Sequence, residues 1–480
     1  MKKYILFLLV LFSCFLSFGA DLETMRMVTS ANFPPYEFYH DKKIVGIDVD
    51  ILTEVLRRNH YKVVIEDMKF DSIIAAIQTG KGDIAASGIT ITEDRKKMVD
   101  FTIPYITAQQ VVIVLKDSAI NDVSMLKKGM RIGVQHGTTG DAYVTEKISE
   151  PQRFDDASMA VAALLRNKLD AVVLDHDPAK VHVAKNPSLK ILSAPLTVEE
   201  YAFAVAKGRQ QLLTMLNNTL EEMKNDGTID KIVHKYYEQT DDMVVSVQED
   251  TESGFFADFR TNFIKDGRWH YLLDGFIVTI SVAAASVLWG VFIGFLVAII
   301  RSTADQTGKL KIANFLCKLY LTIIRGTPVV LQLLIIYFVV FGSVDVNKVL
   351  VAIMAFGINS GAYVAEIIRS GIMSVDRGQM EAGRSLGLSY NQTMGMIILP
   401  QALKNVLPAL GNEFIVLLKE TSVCGFIALQ DLTKGGDIIR SQTYNAFQPL
   451  IAVAVIYLIL VMIFSKLLEI LEKRLKKNER

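Results

Sequence analysis

Phe276 to Ile300 is a run of 25 residues without a single charge, longer than the roughly 20 that a helix needs to cross a bilayer. A backbone in lipid must satisfy its own hydrogen bonds, so such a run dictates a helix and rules out a chain that is soluble throughout. Further apolar stretches lie at 312–341, interrupted by Arg325-Gly326-Thr327-Pro328, at 349–365 and at 445–465. The stretch 406–429 contains Glu413, Lys419 and Glu420 and is the weakest of five expected spans. Basic residues orient them. Arg301, Lys309, Lys311 and Lys318 fall between the first two spans, Arg369, Arg377, Arg384 and Lys404 between the third and fourth, and Lys466, Lys473, Arg474, Lys476, Lys477 and Arg480 after the last. The remaining loops hold only Lys348, then Lys434 and Arg440. The positive-inside rule puts the tail in the cytoplasm and the first half of the chain outside, which takes an odd number of spans.

The N-terminus agrees with export. Lys2 and Lys3 precede an uncharged stretch at 4–18 and the small pair Gly19 and Ala20, the pattern of a secretory signal peptide over 1–20, with a retained signal anchor as the alternative. From 21 to 240, β-branched runs at 111–115, 131–134 and 171–174 alternate with amphipathic stretches such as 71–78 and 210–224. That alternation predicts a soluble α/β domain with mostly parallel sheets. Residues 241–268 are acidic and aperiodic and are expected to be a linker, followed by an all-α transmembrane domain over 269–472 and a basic tail over 473–480. Lys+Arg and Asp+Glu balance at 51 each, which gives no electrostatic reason to expect a nucleic-acid partner. Seven His and three Cys, with Cys14, Cys317 and Cys424 all in apolar stretches, leave neither a metal cluster nor a disulfide framework to expect.

Within the soluble half, Ser87-Gly88-Ile89-Thr90 precedes a helical stretch that contains Arg95. A guanidinium can grip a carboxylate through two parallel hydrogen bonds, with Thr90 as a third donor. Gly137-Thr138-Thr139-Gly140 opens another helix, whose free N–H groups favour an anion. Asp175 ends a strand and can take an ammonium. Each taken alone also reads as a surface ion pair, an ordinary turn or a strand-end cap.

Together with Asn32-Phe33-Pro34-Pro35-Tyr36-Glu37-Phe38, Gly46-Ile47-Asp48-Val49-Asp50, Asp100-Phe101-Thr102-Ile103-Pro104-Tyr105 and Met223-Lys224-Asn225-Asp226-Gly227-Thr228, these strings resemble the polar amino-acid-binding proteins of ABC importers. The resemblance implies a two-lobed clamp, the type II periplasmic-binding-protein fold, with the second lobe near 112–203 and crossings near 108–111 and 204–207. It implies that Arg95, Thr90 and Thr139 hold the α-carboxylate of an amino acid. Asp175 and the backbone near Gly88 would take its α-ammonium, with Ser87 beside them, and Phe33 and Phe70 would flank its side chain. Family members for basic amino acids often carry an acidic residue where this chain has Ser30, and glutamine binders a lysine where it has Gln135, so a neutral polar ligand is slightly favoured, with a cationic or acidic one still open.

The membrane half carries Glu381-Ala382-Gly383-Arg384-Ser385-Leu386-Gly387, then Ile397-Ile398-Leu399-Pro400-Gln401-Ala402, in an inner loop. This resembles the EAA coupling loop of ABC permeases, with Gly383 where Ala is usual, which weakens the expected helix there. Arg325-Gly326-Thr327-Pro328-Val329-Val330-Leu331-Gln332, the string 361–372 and Lys419-Glu420-Thr421-Ser422-Val423 are similar to polar amino-acid permeases. The resemblance implies a fused binding-protein/permease subunit that imports a polar amino acid as a homodimer in the bacterial cytoplasmic membrane. A separate ATP-binding subunit, docked on the EAA loop, would carry the ATP and magnesium; this chain is expected to need no cofactor and to be no enzyme. Glu413, with Gln332 and Asn359 behind it, is the expected transport path, and Glu366 and Arg369 are expected to pair on a helix surface. Residues 378–385 nearly spell a phosphate-binding loop, but no strand precedes them and Arg384 stands where lysine is required. An amino-acid-gated channel and an amino-acid-sensing receptor are the alternatives. The first would need pore helices inserted between the lobes of the clamp, the second a signalling domain after the last span.

Overall fold

The computed structural model describes residues 23–477 apart from 41, 250–253, 343, 345, 444 and 446. The expected signal peptide lies outside these residues.

Two α/β lobes form the N-terminal half. The first holds a five-stranded sheet in the order Lys62–Asp67, Thr24–Thr29, Ile84–Ala85, Ala204–Ala206, Val99–Phe101. The helix Ile47–Arg58 packs on it by burying Ile47, Ile51, Leu52, Val55 and Leu56, one stripe of a 3.6-residue period. The second lobe is built on strands Gln152–Phe154, Ile132–Gln135, Ala171–Asp175, Ile106–Leu115 and Leu189–Ile191. Both sheets are mixed rather than mostly parallel, because the strands that carry the chain between lobes run against their neighbours.

The strand Ile106–Leu115 is itself the hinge. Its first half pairs with Thr197–Tyr201 in a two-stranded ribbon, where Thr107 and Gln109 are exposed and Ala108 and Gln110 buried. Beyond Gln110 it enters the second sheet and Val111, Val112, Ile113 and Val114 are all buried, as a strand covered on both faces requires. The ribbon therefore uses 106–110 and 197–201, a few residues earlier on both passes than the sequence suggests.

After Ala206, helices Gln210–Asn225 and Thr228–Glu249 follow. The expected aperiodic linker is helical on both sides of the undescribed stretch, up to Glu249 and again at Phe255–Phe259.

Helices Trp269–Thr307, Lys348–Met373, Leu399–Glu420 and Phe447–Lys477 make up most of the C-terminal half. By length and apolarity, three helices among the described residues suffice to cross a membrane. A fourth span is counted if Lys311–Arg325 and Val329–Val340 are one, but they bend by 109° at Gly326-Thr327-Pro328. Pro328 has no N–H to continue the first helix and sits where the second begins. The apolar stretch 312–341 is thus a kinked pair rather than a straight span. Lys348–Met373 is the centre of the bundle, with 61% of its most apolar window buried against 11% for Phe447–Leu475.

Candidate functional site

The loops at the mouth of the two lobes line a small cavity between them. Ser30, Phe33, Phe70, Ser87, Gly88, Thr90, Arg95, Gln135, Thr139 and Asp175 all line it, so every binding residue proposed from the sequence converges there. Asn32, Glu37 and Thr138 complete the wall.

Short polar turns aim these groups. Thr92 caps the helix Glu93–Met98 by accepting from the Arg95 N–H, and Thr138 caps Thr139–Lys147 by accepting from Asp141. Gly88 has φ +51°, and a Cβ there would lie 2.9 Å from the Phe33 ring. A side chain at 88 is therefore excluded by both backbone and space.

Arg95 joins the lobes. One terminal nitrogen donates to the Thr90 carbonyl at 2.9 Å, the other to the Gly137 carbonyl at 3.0 Å, and the guanidinium lies 5.5 Å from the Phe70 ring centre. Donors remain on its fork for a carboxylate. The threonines are arranged differently from expectation. The hydroxyls of Thr90 and Thr139 both donate to Glu199 Oε2 at 2.7 Å, each using its only proton. Glu199 sits on the hinge strand Thr197–Tyr201, where alternation turns it inward and leaves Val198 66% exposed. Sequence reading missed it, since Glu199 and Glu200 are indistinguishable without the strand's phase.

Asp175 accepts from the Tyr201 hydroxyl. Burial pushes its pKa up to about 7, against the lowering effect of that hydrogen bond. An ammonium placed beside it supplies the missing countercharge. Asp48 accepts from Gly88 N–H at 2.8 Å and from the Tyr105 hydroxyl at 2.6 Å, and so fixes the wall from behind.

The clamp's mouth faces the membrane half across a chamber of about 230 Å³. Ser30 and Asn32 line both this chamber and the ligand cavity. One helix, Leu432–Thr443, reaches both lobes. Lys434 meets Asp67 of the first lobe at 2.7 Å, and Arg440 meets Asp156 of the second at 2.6 Å with side chains only 4% and 8% exposed. Lys69 also pairs with Asp155 across the cleft at 2.6 Å while lying 3.6 Å from the Phe426 ring centre.

In the bundle, the Asn359 amide donates to Gln332 Oε1 at 3.0 Å. Glu413 is buried next to Ser360, the residue after Asn359, and makes no ion pair among the described residues. Glu366 pairs more tightly with Arg301 of another helix, at 2.5 Å, than with Arg369, at 3.9 Å, so it ties helices together rather than decorating one. The helix Arg377–Ser385 forms in spite of Gly383, which is buried against Thr393, where a Cβ would come within 2.4 Å. Glycine here permits close packing of the loop. Glu381, Ala382, Leu386 and Gly387 are exposed.

Residues 25–239 match the bacterial extracellular solute-binding proteins, family 3, and residues 290–477 the binding-protein-dependent transport system inner membrane component. The chain is 38% identical over 210 residues to a putative glutamine transport system permease protein of Rickettsia typhi, covering 43% of this chain and 94% of the relative. It is 36% identical over 211 residues to the arginine transport system permease protein of Bacillus subtilis, covering 44% and 94%. A probable histidine-binding protein of Campylobacter jejuni is 33% identical over 216 residues, covering 44% and 84%. Both are transport families rather than enzyme families. With an amino-acid clamp in one half and a permease in the other, the chain belongs to the amino-acid ABC transporters as a fusion of their solute-binding and membrane components.

Proposed function

We propose that the clamp captures a polar amino acid outside the bacterial cytoplasmic membrane and releases it into the chamber above its own permease domain. The observation that carries this reading is the shared wall of cavity and chamber at Ser30 and Asn32. In the cavity, Arg95 takes the α-carboxylate, Asp175 the α-ammonium, and Phe33 and Phe70 flank the side chain. The route continues past Gln332, Asn359 and Glu413 through five spans, Leu399–Glu420 being the one that composition alone leaves out.

Two copies of the chain pair in the membrane, and a separate ATP-binding subunit supplies the energy with its own ATP and magnesium. It docks on Glu381, Ala382, Gly383, Leu386 and Gly387. Two features support that placement. Leu386 is 79% exposed, and the loop follows a helix of 26 residues, about 39 Å long at 1.5 Å per residue, whose first residue, Lys348, touches the clamp at Glu66. The loop therefore lies about a membrane's thickness from the clamp.

Thermal unfolding of the full chain in detergent, scanned against the twenty amino acids, tests the binding step. Ligand at about 100 times its dissociation constant adds about 2.7 kcal/mol. One or two polar amino acids should therefore shift the clamp's transition by several degrees. A folded sample that shifts with none of them contradicts the reading.

A further inference from the structure

Glu37 opens the short strand Glu37–His40. Its carboxyl is fully buried yet lines the ligand cavity. Oε1 accepts from the Ser87 hydroxyl at 2.8 Å, and that hydroxyl in turn accepts from Ser30 N–H at 3.0 Å. Oε2 has no hydrogen-bond partner. A buried carboxylate oxygen left without a donor is costly, and a ligand that brings one recovers that cost.

The charges around it specify the donor. Asp48 from the helix Ile47–Arg58, Asp67 from the end of Lys62–Asp67 and Asp175 from the end of Ala171–Asp175 all act on Glu37, as does the Tyr105 hydroxyl. Every one of them is an acid. Among the described residues lining the cavity, Arg95 is the single cation against Glu37 and Asp175. A zwitterion matches Arg95 with its carboxylate and Asp175 with its ammonium, which leaves Glu37 uncompensated. A second positive charge at the far end of the ligand balances the site.

We propose that Glu37 is the seat for the cationic end of a basic amino acid, and that this chain's cargo is arginine-like rather than neutral. The inference rests on the amino-acid-binding reading of the same cavity. A neutral glutamine would fit only with Glu37 protonated, since an ionised carboxylate next to Asp48 needs a cation.

Proton linkage follows in sign. Burial and the Asp48 charge hold Glu37 above the usual carboxylate range in the free clamp. A cation binds the ionised form, so it expels a proton wherever the free form is protonated, and affinity falls as pH falls. Asp175 contributes the same sign for every amino acid. The excess shown by a cationic ligand over a neutral isostere is therefore assigned to Glu37.

Isothermal titration of the full chain in detergent with arginine and with citrulline, its uncharged isostere, tests this directly. Arginine should bind at least about 100-fold tighter, and in buffers of different ionisation enthalpy it should release more protons at pH 6. Glu37→Gln should bring the two affinities together by weakening arginine while leaving citrulline within a few-fold. Citrulline within threefold of arginine on the unaltered chain overturns the proposal without any variant. So does glutamine or histidine binding where arginine does not, which leaves amino-acid binding intact. No binding of any of the twenty amino acids overturns the underlying reading and this proposal with it.

Discussion

Arg95→Ala lowers amino-acid affinity of the full chain by about 100-fold or more. The guanidinium is the one cation in the described cavity wall, and removing one partner of a desolvated charge pair costs about 2–5 kcal/mol. Arg95 also bridges the lobes through the carbonyls of Thr90 and Gly137, so the variant loses part of the contact that stabilises closure. Arg95→Lys separates the two effects. An ammonium keeps the charge but cannot fork a carboxylate while reaching both carbonyls, and its affinity should fall between the other two. Titration calorimetry gives the affinities, and melting without ligand reports any loss of fold. Undiminished binding by Arg95→Ala removes this residue from the site.

Asp156→Asn should abolish most uptake while leaving amino-acid affinity unchanged. Asp156 does two jobs: Oδ1 caps the helix Ala157–Leu165 by accepting from Met159 at 3.0 Å, and Oδ2 holds Arg440. Asparagine keeps the cap and removes the charge. Among the described residues, Arg440 then keeps as ion-pair partner only Asp437 on its own helix, at 3.0 Å. Breaking a buried ion pair costs about 3–5 kcal/mol, and that loss falls on the docking of clamp to permease rather than on the ligand site. Transport in vesicles, set beside ligand affinity in the same preparation, distinguishes the two. Equal loss of binding and uptake would mean that Asp156 acts on the clamp's own structure.

The clamp was legible because the residues that line its cavity sit in short local strings. Ser87 to Arg95 and Gly137 to Thr139 are turn-and-cap sequences, and caps are decided by residues within three positions of one another. Glu37 was legible only as one residue of Asn32 to Phe38, since its hydrogen-bond partner Ser87 lies fifty positions away. Glu199 needed the phase of the hinge strand. Arg301 as the partner of Glu366 was invisible because spacing along one helix suggests Arg369, and only the packing of helices brings Arg301 closer. The kink at Gly326 to Pro328 was announced by its residues, but apolar content alone joined what backbone chemistry separates.

Uptake of a radiolabelled amino acid into sealed vesicles holding the full chain and an ATP-binding subunit of this importer class tests the central claim most directly. With clamps facing outward, accumulation should require ATP on the inner face, stop with Arg95→Ala, and run against a gradient. Amino-acid flux that needs no ATP and only relaxes a gradient would contradict an ABC import cycle and leave a ligand-gated passage in its place.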